Sequence, residues 1–508
     1  MSLLLVAAPF VGLVLWLTAR LTQRAFRNLP PGPKGLPFIG DVQHASDHGW
    51  LASPRRRDDY GELMYISALG QGILVINSQR VAVDLLEKRS NIYSDRPRYI
   101  SFNEFLTENL SFVFTGYGDL WRRFRRPAVE GFSKSVVSDF YPIQSREAIM
   151  LALSLIKNPP MKKHFQRHAW SVILSINYHL PPVESEDAPV VVEIINQVQR
   201  VLHEIQPGAR LVEYFPWMKY IPSRFAKWKR DAQYWFIQDS LRYERLLSKV
   251  ADDLAKGIDR PSFAATVIKN QGKYRLSERE QAWLVGNMLS AGGETMSTTL
   301  HWWLLALLAH PEVQSRAYAE LDEVVGCAHP PTLADLPSLP YIRAMVKEAL
   351  RWSPTVPFGV PHASSADDWY EGMFIPKGTI ILPNMRVINF DTAVFGADSA
   401  RFNPARYLDE KGQVKVLMEG REEGHMTFGY GRRVCPGRLV AEGTLGIDFA
   451  TLLWAMRFER SEAAEGELDV NTLVHSGIGA YPVPFECKAV PRFADAEALL
   501  KEALDLYE

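Results

Sequence analysis

Phe428-Gly-Tyr-Gly-Arg-Arg-Val-Cys435-Pro-Gly437 runs straight into RLVAEGTLGIDFATLLWAM (438–456), and this junction decides how the chain is read. The second run has the apolar spacing of a buried helix, so the spacing puts Cys435 at that helix's amino terminus. There Pro436 suits the first helical position, where a missing N–H costs nothing. The unpaired N–H groups and the dipole beyond it favour a thiolate over a thiol. Gly431 and Gly437 remove side chains where backbone must approach a flat cofactor, and Arg433 supplies charge suited to a carboxylate. Phe428 is placed to pack beside the sulfur and shield it. A deprotonated sulfur presented to a ligand is the expectation.

The rest of the composition is compatible with one large enzyme. The chain has 508 residues, 47% hydrophobic and 23% charged, enough to bury a sizeable core. No linker-like, low-complexity or repeated tract follows residue 40, so 41–508 is read as a single catalytic domain. The formal net charge of -1 gives no reason to expect nucleic acid as a partner. Three cysteines, Cys327, Cys435 and Cys487, are far apart in sequence with no paired spacing, so a disulfide framework is not expected. Only Cys435 has ligand-like surroundings, and the other two read as buried apolar filler.

With these residues quoted, Phe428-x-x-Gly431-x-Arg433-x-Cys435-x-Gly437 resembles the haem-binding signature of the cytochrome P450 superfamily at every defining position. The resemblance extends from Pro31 to about Cys487. It implies a mainly α fold with small β-sheets and haem b as cofactor, its iron bound by the Cys435 thiolate. Phe428, Gly431, Arg433 and Gly437 would be its neighbours.

Other motifs gain meaning from that resemblance. Glu348 and Arg351, in KEALRW, share a helix face, and most pairs at this spacing are solvated. Here they look like the family's Glu-x-x-Arg, with Arg406 of RFNPARYL resembling the third member of a buried structural triad. Ala405 stands where the family usually has Glu. Trp121 and Arg125, in GDLWRRFRRP, are four apart on one helical face, a spacing that brings an indole N–H and a guanidinium to one ligand. The family uses such a pair on haem propionates, and His362 of GVPHASS resembles another propionate contact, although a lone His is commonly a core residue.

Ser290-Ala-Gly-Gly-Glu-Thr295 interrupts a long apolar helix from about Gln281 to His310 with two glycines, each costing about 1 kcal/mol relative to alanine. The family's central helix opens over the haem at such a motif. By that resemblance Glu294 and Thr295 are the catalytic acid and alcohol of a proton relay. A kink for packing alone is the competing reading. Met296 departs from the usual Thr or Ser.

At the amino terminus, residues 1–19 carry no charge and would span roughly 28 Å as a helix at ~1.5 Å per residue. Arg20, Arg24 and Arg27 follow, which orients the rest of the chain to the cytosol. A cleaved signal is the alternative, without the basic region that would precede it. The expected organisation is a transmembrane signal anchor at 1–19, a basic and Pro-rich linker at 20–40 and the haem-thiolate domain at 41–508. The linker's LPPGPKGLPFIG (29–40) must be extended and stiff. LMYISALGQGILVI (63–76) reads as a β-hairpin, short strands return at 355–383 and GIGAYPVPFECKAV (477–490) turns back on itself. Residues 211–230 mix aromatics with lysines and suit either a membrane interface or a core.

No GxGxxG follows a strand, so electrons must come from outside. The resemblance implies an NADPH-cytochrome reductase carrying FAD and FMN, O2 and a lipophilic small-molecule substrate. Arg122, Arg123, Arg126, Lys134, Arg432 and Arg438 are candidate docking charges. By family analogy the pocket is lined from 112–115, 285–291, 356–360 and 474–479. The flow of PHASSADDWYEGMFIPKGTIILPN into the cysteine loop looks like microsomal fungal enzymes of secondary metabolism, in the endoplasmic reticulum membrane. Competing readings are a haem-thiolate isomerase or dehydratase needing no O2, and a non-enzymatic haem sensor.

Overall fold

The computed structural model describes residues 55–157, 161–185, 187–206, 208–352, 354–415, 424–461, 468–476 and 479–507, with 28–36, 39–41 and positions 43, 51, 53 and 417. The expected anchor at 1–19 and its arginines lie outside the described residues. Among the described residues no helix is long and apolar enough to cross a membrane. Backbone packing divides the chain into two compact units, Met1–Pro97 with Pro361–Asn384 and Arg98–Val360 with Met385–Glu508.

The first unit is built on the expected hairpin. Strands β1 (Leu63–Ala68) and β2 (Gln71–Ile76) pair antiparallel from Leu63↔Ile76 to Ala68↔Gln71. The turn falls at Leu69 and Gly70, both left-handed (φ 47 and 84), so the required glycine is Gly70. Downstream come β3 (His362–Ala363), the small hairpin β4 (Asp368–Tyr370) and β5 (Met373–Ile375), and β6 (Ile380–Pro383). β6 runs parallel to β2 and β3 closes the sheet, in the order β1-β2-β6-β3. The Pro-rich stretch is docked on the hairpin and carries no helix over 29–35, but it is not extended throughout: Leu36 and Gly40 exchange backbone hydrogen bonds (2.9 and 2.8 Å), so the chain folds back there. The Pro31 carbonyl accepts from the Tyr65 N–H (2.7 Å) and Gly40 bridges to Ala68.

The second unit is helical: α1 (Asp119–Gly131), α2 (Tyr141–Lys157), α3 (Met161–Tyr178), α4 (Pro189–Glu204), α5 (Lys227–Ala255), α6 (Glu278–Ala309), α7 (Pro340–Trp352) and α8 (Arg438–Ala455). Short strands β7 (Met456–Arg460), β8 (Leu473–Ser476), β9 (Gly479–Pro482) and β10 (Cys487–Pro491) complete it. The turning-back at the carboxyl end is the β8–β9 hairpin, whereas β10 pairs with β7.

α6 is the axis of this unit. A capping box between Ser277 and Glu280 starts it, and it ends before Pro311, a residue that cannot continue it. It is buried along most of its length because α3, α5, α7 and α8 pack around it, with Trp303 stacked on Phe449 of α8 at 4.0 Å. The helix does not open at its glycines: it is continuous over 32 residues. A Cβ on Gly293 would lie 2.3 Å from the Trp170 ring, and one on Gly292 would lie 2.7 Å from Ile173, both on α3. The glycines are therefore required by the close approach of α3.

Two further expectations change. Cys327 is exposed, not buried filler, while burial in β10 pushes the Cys487 thiol up to about 12. In the 211–230 segment Leu211, Phe215, Trp217, Tyr220 and Phe225 are exposed, against the core reading, whereas Val212 and Ala226 are buried and Met218, Ile221 and Trp228 are half-buried, Trp228 edge-on to Phe105 at 5.3 Å.

Gly293→Ala should lower stability by about 1–3 kcal/mol, because the overpacked Trp170 cannot retreat within a close-packed helix pair. Gly118→Ala, where a Cβ meets nothing within 4 Å, should stay within about 0.5 kcal/mol of the parent. Chemical unfolding of the two variants side by side checks this.

Candidate functional site

The Cys435 loop is held by its own backbone. Gly429 (φ 82) and Gly431 (φ 50) take left-handed conformations that favour glycine, and Gly431–Arg433 forms a single 3-10 turn. The Cys435 N–H then donates to the Phe428 carbonyl (2.8 Å) and the Arg433 N–H to that of Tyr430 (3.0 Å). α8 begins at Arg438 with Gly437 as N-cap, so Cys435 lies in the turn ahead of the helix and Pro436 is not its first residue. The sulfur still receives a backbone N–H, from Gly437. Burial dominates its titration and pushes the thiol up, against the pull of Gly437, Arg125 and Arg438. Burial thus works against the thiolate that the Gly437 N–H and the nearby guanidinium groups favour, and a metal bound to the sulfur would shift the balance toward the ionised form.

α1 supplies the fringe of the site. Trp121 is buried, and the Arg433 guanidinium lies over its ring at 4.6 Å while donating to the Thr115 carbonyl (2.8 Å). Arg125, one turn along, is half-buried and makes no hydrogen bond or ion pair among the described residues. Burial lowers its affinity for a proton, and the Cys435 sulfur is the group that opposes this. An inward cation without an anion is costly unless a ligand supplies the charge. Around Gly437, a Cβ would meet nothing within 4 Å. Across the unit, Ala291 and Thr295 are exposed in the middle of the otherwise buried α6. These features fit a flat, anionic cofactor ligated by sulfur.

Glu294 and Thr295 sit side by side on α6. The Thr295 hydroxyl donates back to the Ala291 carbonyl (3.0 Å), and the Glu294 carboxylate accepts from the Tyr481 hydroxyl on β9. Burial raises the Glu294 carboxyl above the ordinary range. Met296 is buried in the core on another face of the helix. Tyr481 escaped the sequence reading because an aromatic on a short strand carries no signal of its partner.

Glu348, Arg351 and Arg406 do form a buried cluster. Arg351 donates twice to Glu348 (2.6 and 2.8 Å) and Arg406 once (3.1 Å), with Arg351 also capping the Asn389 carbonyl (2.6 Å). Arg406 has a second carboxylate partner in Asp398, which accepts from it at 3.1 Å. His362 lies in the first unit, where its buried ring donates through Nδ1 to the Tyr93 carbonyl (2.7 Å).

Of the candidate docking charges, Arg123 is taken by Glu280 (2.9 Å) and Asp119 (3.0 Å), and Arg126 by Glu130 (3.1 Å). Arg122, Lys134 and Arg432 remain exposed.

A predominantly apolar cavity of about 200 Å³ lies in this unit. Its walls include Phe114, Ala291, Val356, Val360 and Gly479, from the runs read in the sequence. Phe102 and Leu106, and Val198, Val201 and Leu202 of α4, were not foreseen, being indistinguishable from core positions in an amphipathic pattern.

The sequence model of the family described as Cytochrome P450 matches residues 30–486. Two cytochrome P450 monooxygenases of Armillaria gallica are 46% and 42% identical to this chain, each covering 98% of it and 96% and 97% of their own length. Cytochrome P450 monooxygenase 58 of Postia placenta is 40% identical over 96% of this chain and 94% of its own. The chain belongs to the cytochrome P450 family. It is by class a haem-thiolate monooxygenase, and membership implies haem with cysteine ligation, a redox partner, O2 and a small-molecule substrate.

Glu348→Ala should leave the buried Arg351 guanidinium without its carboxylate, while Arg406 keeps Asp398, and cost about 3–5 kcal/mol. Urea unfolding of the purified variant measures the loss, and a stability equal to the parent's would show that the cluster holds nothing together.

Proposed function

We propose that this enzyme inserts one oxygen atom of O2 into a lipophilic small molecule, a terpenoid or other secondary metabolite, with electrons from an NADPH-dependent reductase carrying FAD and FMN. The observation that carries the reading is a half-buried, loop-held Cys435 beside Arg125, which has no ion pair among the described residues, in the same unit as an apolar cavity lined by Thr295 and Glu294. In this reading Cys435 ligates the iron of haem b, Trp121, Arg125, Arg433 and His362 serve its propionates, and Phe428, Gly431 and Gly437 shape the loop around it. When bound, that group supplies the activation of dioxygen needed to oxidise an unactivated carbon.

The chain's own residues supply orientation and protons. Thr295 presents its hydroxyl oxygen to the cavity while its hydrogen is donated back to α6. Glu294 keeps its proton to higher pH than an ordinary carboxyl because it is buried, and the Tyr481 hydroxyl fixes its direction. Together they form a relay from acid to alcohol.

Residues 1–19 are proposed as a single-pass anchor in the endoplasmic reticulum membrane, followed by the linker at 20–40 and a cytosolic domain at 41–508. The exposed aromatics at 211–225 support contact with the same membrane. Arg122, Lys134 and Arg432 are the charges proposed to meet the reductase. Nothing favours the isomerase, dehydratase or sensor readings.

Thr295→Ala should cut product formed per NADPH consumed by at least ~10-fold and raise peroxide correspondingly. Peroxide and NADPH measured together in a reductase-reconstituted assay check this. Unchanged coupling would remove Thr295 from the relay.

A further inference from the structure

Besides Glu294 and Thr295, the predominantly apolar cavity carries a cluster of polar groups where α4, α5 and α6 meet. There Gln197, Asp239, Tyr243, Asn287 and Ser290 line it. Gly286 makes the arrangement possible: a Cβ there would lie 2.4 Å from the Tyr243 ring, so only glycine lets that ring lie flat against α6. The ring's hydroxyl then reaches Ser290 Oγ one turn on, at 2.9 Å.

The direction of each hydrogen bond follows from what each group can do. The Gly286 carbonyl can only accept, and Ser290 donates to it (2.9 Å). Tyr243 must then donate to Ser290, and the Gln197 amide in turn donates to Tyr243. Gln197 Oε1 accepts from Arg242 (3.2 Å), and Asp239 accepts from Arg200 and Arg242 (both 2.9 Å). Asn287 gives both amide hydrogens away, to the Leu110 (3.0 Å) and Trp283 (2.5 Å) carbonyls. Trp283 gives its own to Ser240 (2.9 Å). Among the groups of this cluster, one N–H of Gln197 is the donor left over. Acceptor capacity remains, on the second lone pair of Ser290 Oγ and on the Asp239 carboxylate.

A wall with spent donors and spare acceptors recognises a ligand that donates. A carbonyl or ether oxygen would face lone pairs, and a carboxylate would face Asp239. We infer that Ser290, backed by Tyr243 and Asp239, is a hydroxyl-recognition site, and that the substrate is a neutral lipophile already bearing a free hydroxyl group. Ser290 and Thr295 are five residues apart, about 8 Å along the helix at ~1.5 Å per residue, which sets the span from that hydroxyl toward the reacting carbon. Such a substrate must come from an earlier hydroxylation, hydration or carbonyl reduction. The inference rests on the monooxygenase reading of the same cavity.

Menthol, menthyl methyl ether and menthone share one rigid skeleton and differ in donor capacity. Their dissociation constants for the haem-loaded enzyme can be read from the shift in haem absorption and, independently, by calorimetry. Menthol should bind ~5–10-fold more tightly than the other two. Ser290→Ala removes the acceptor and releases the Tyr243 hydrogen toward the cavity, so the preference should move from menthol to menthone. Tyr243→Phe leaves Ser290 in place and should keep the preference for menthol. Equal binding of menthol and its ether by the parent enzyme overturns the inference, as does a menthol preference that survives Ser290→Ala. Should none of the three bind while the haem is loaded normally, the lipophile reading of the cavity falls and takes this inference with it.

Discussion

Burial makes a bare thiolate at Cys435 costly, and the positive groups that the fold sets around it offset only part of that cost. The Gly437 N–H, Arg125 and Arg438 all favour the ionised sulfur, yet the thiol is still pushed up. This imbalance organises the surroundings. A metal bound to the sulfur would favour its ionised form, and an anion beside Arg125 would offset the cost of burying that guanidinium. A cofactor carrying a metal centre and peripheral carboxylates answers both demands at once. The loop presents the sulfur in one direction because its backbone leaves little freedom, with Cys435 tied to Phe428 and two left-handed glycines at the bends.

The second organising element is the single uninterrupted helix α6. Its apolar carboxyl half is gripped by core aromatics, while its middle offers Ala291 and Thr295 to open space. Three glycines on it serve neighbours: Gly286 receives Tyr243, and Gly292 and Gly293 receive α3. Glycine there trades helix propensity for approach distance. That close approach brings α5 near enough for Tyr243 to set a polar end of the cavity, with Glu294 further along the same helix and held by Tyr481 of β9.

Legibility in the sequence followed the range of each signal. The cysteine loop was readable because its glycines, arginine and sulfur are close in sequence and each has a local reason to be there. The hairpin at 63–76 and the extent of α6 were readable from period and punctuation. The Gly292-Gly293 pair was visible as a defect but its cause was not, since Trp170 and Ile173 lie more than a hundred residues away. The same distance hid Tyr481 from Glu294 and Glu280 from Arg123, whereas the Arg126–Glu130 pair is local and is missed only by counting basic residues alone. Pro436 fitted the general preference for proline at a first helical turn, but the chain turns once more before α8 begins.

The account stands on ligation of iron by the sulfur at position 435. Spectra of the purified protein, reduced and exposed to carbon monoxide, test it directly, with Cys435→Ser measured alongside. The parent should give the long-wavelength Soret band of thiolate-ligated haem, and the serine variant should lose it. A parent without that band, or a serine variant that keeps it, would contradict the account.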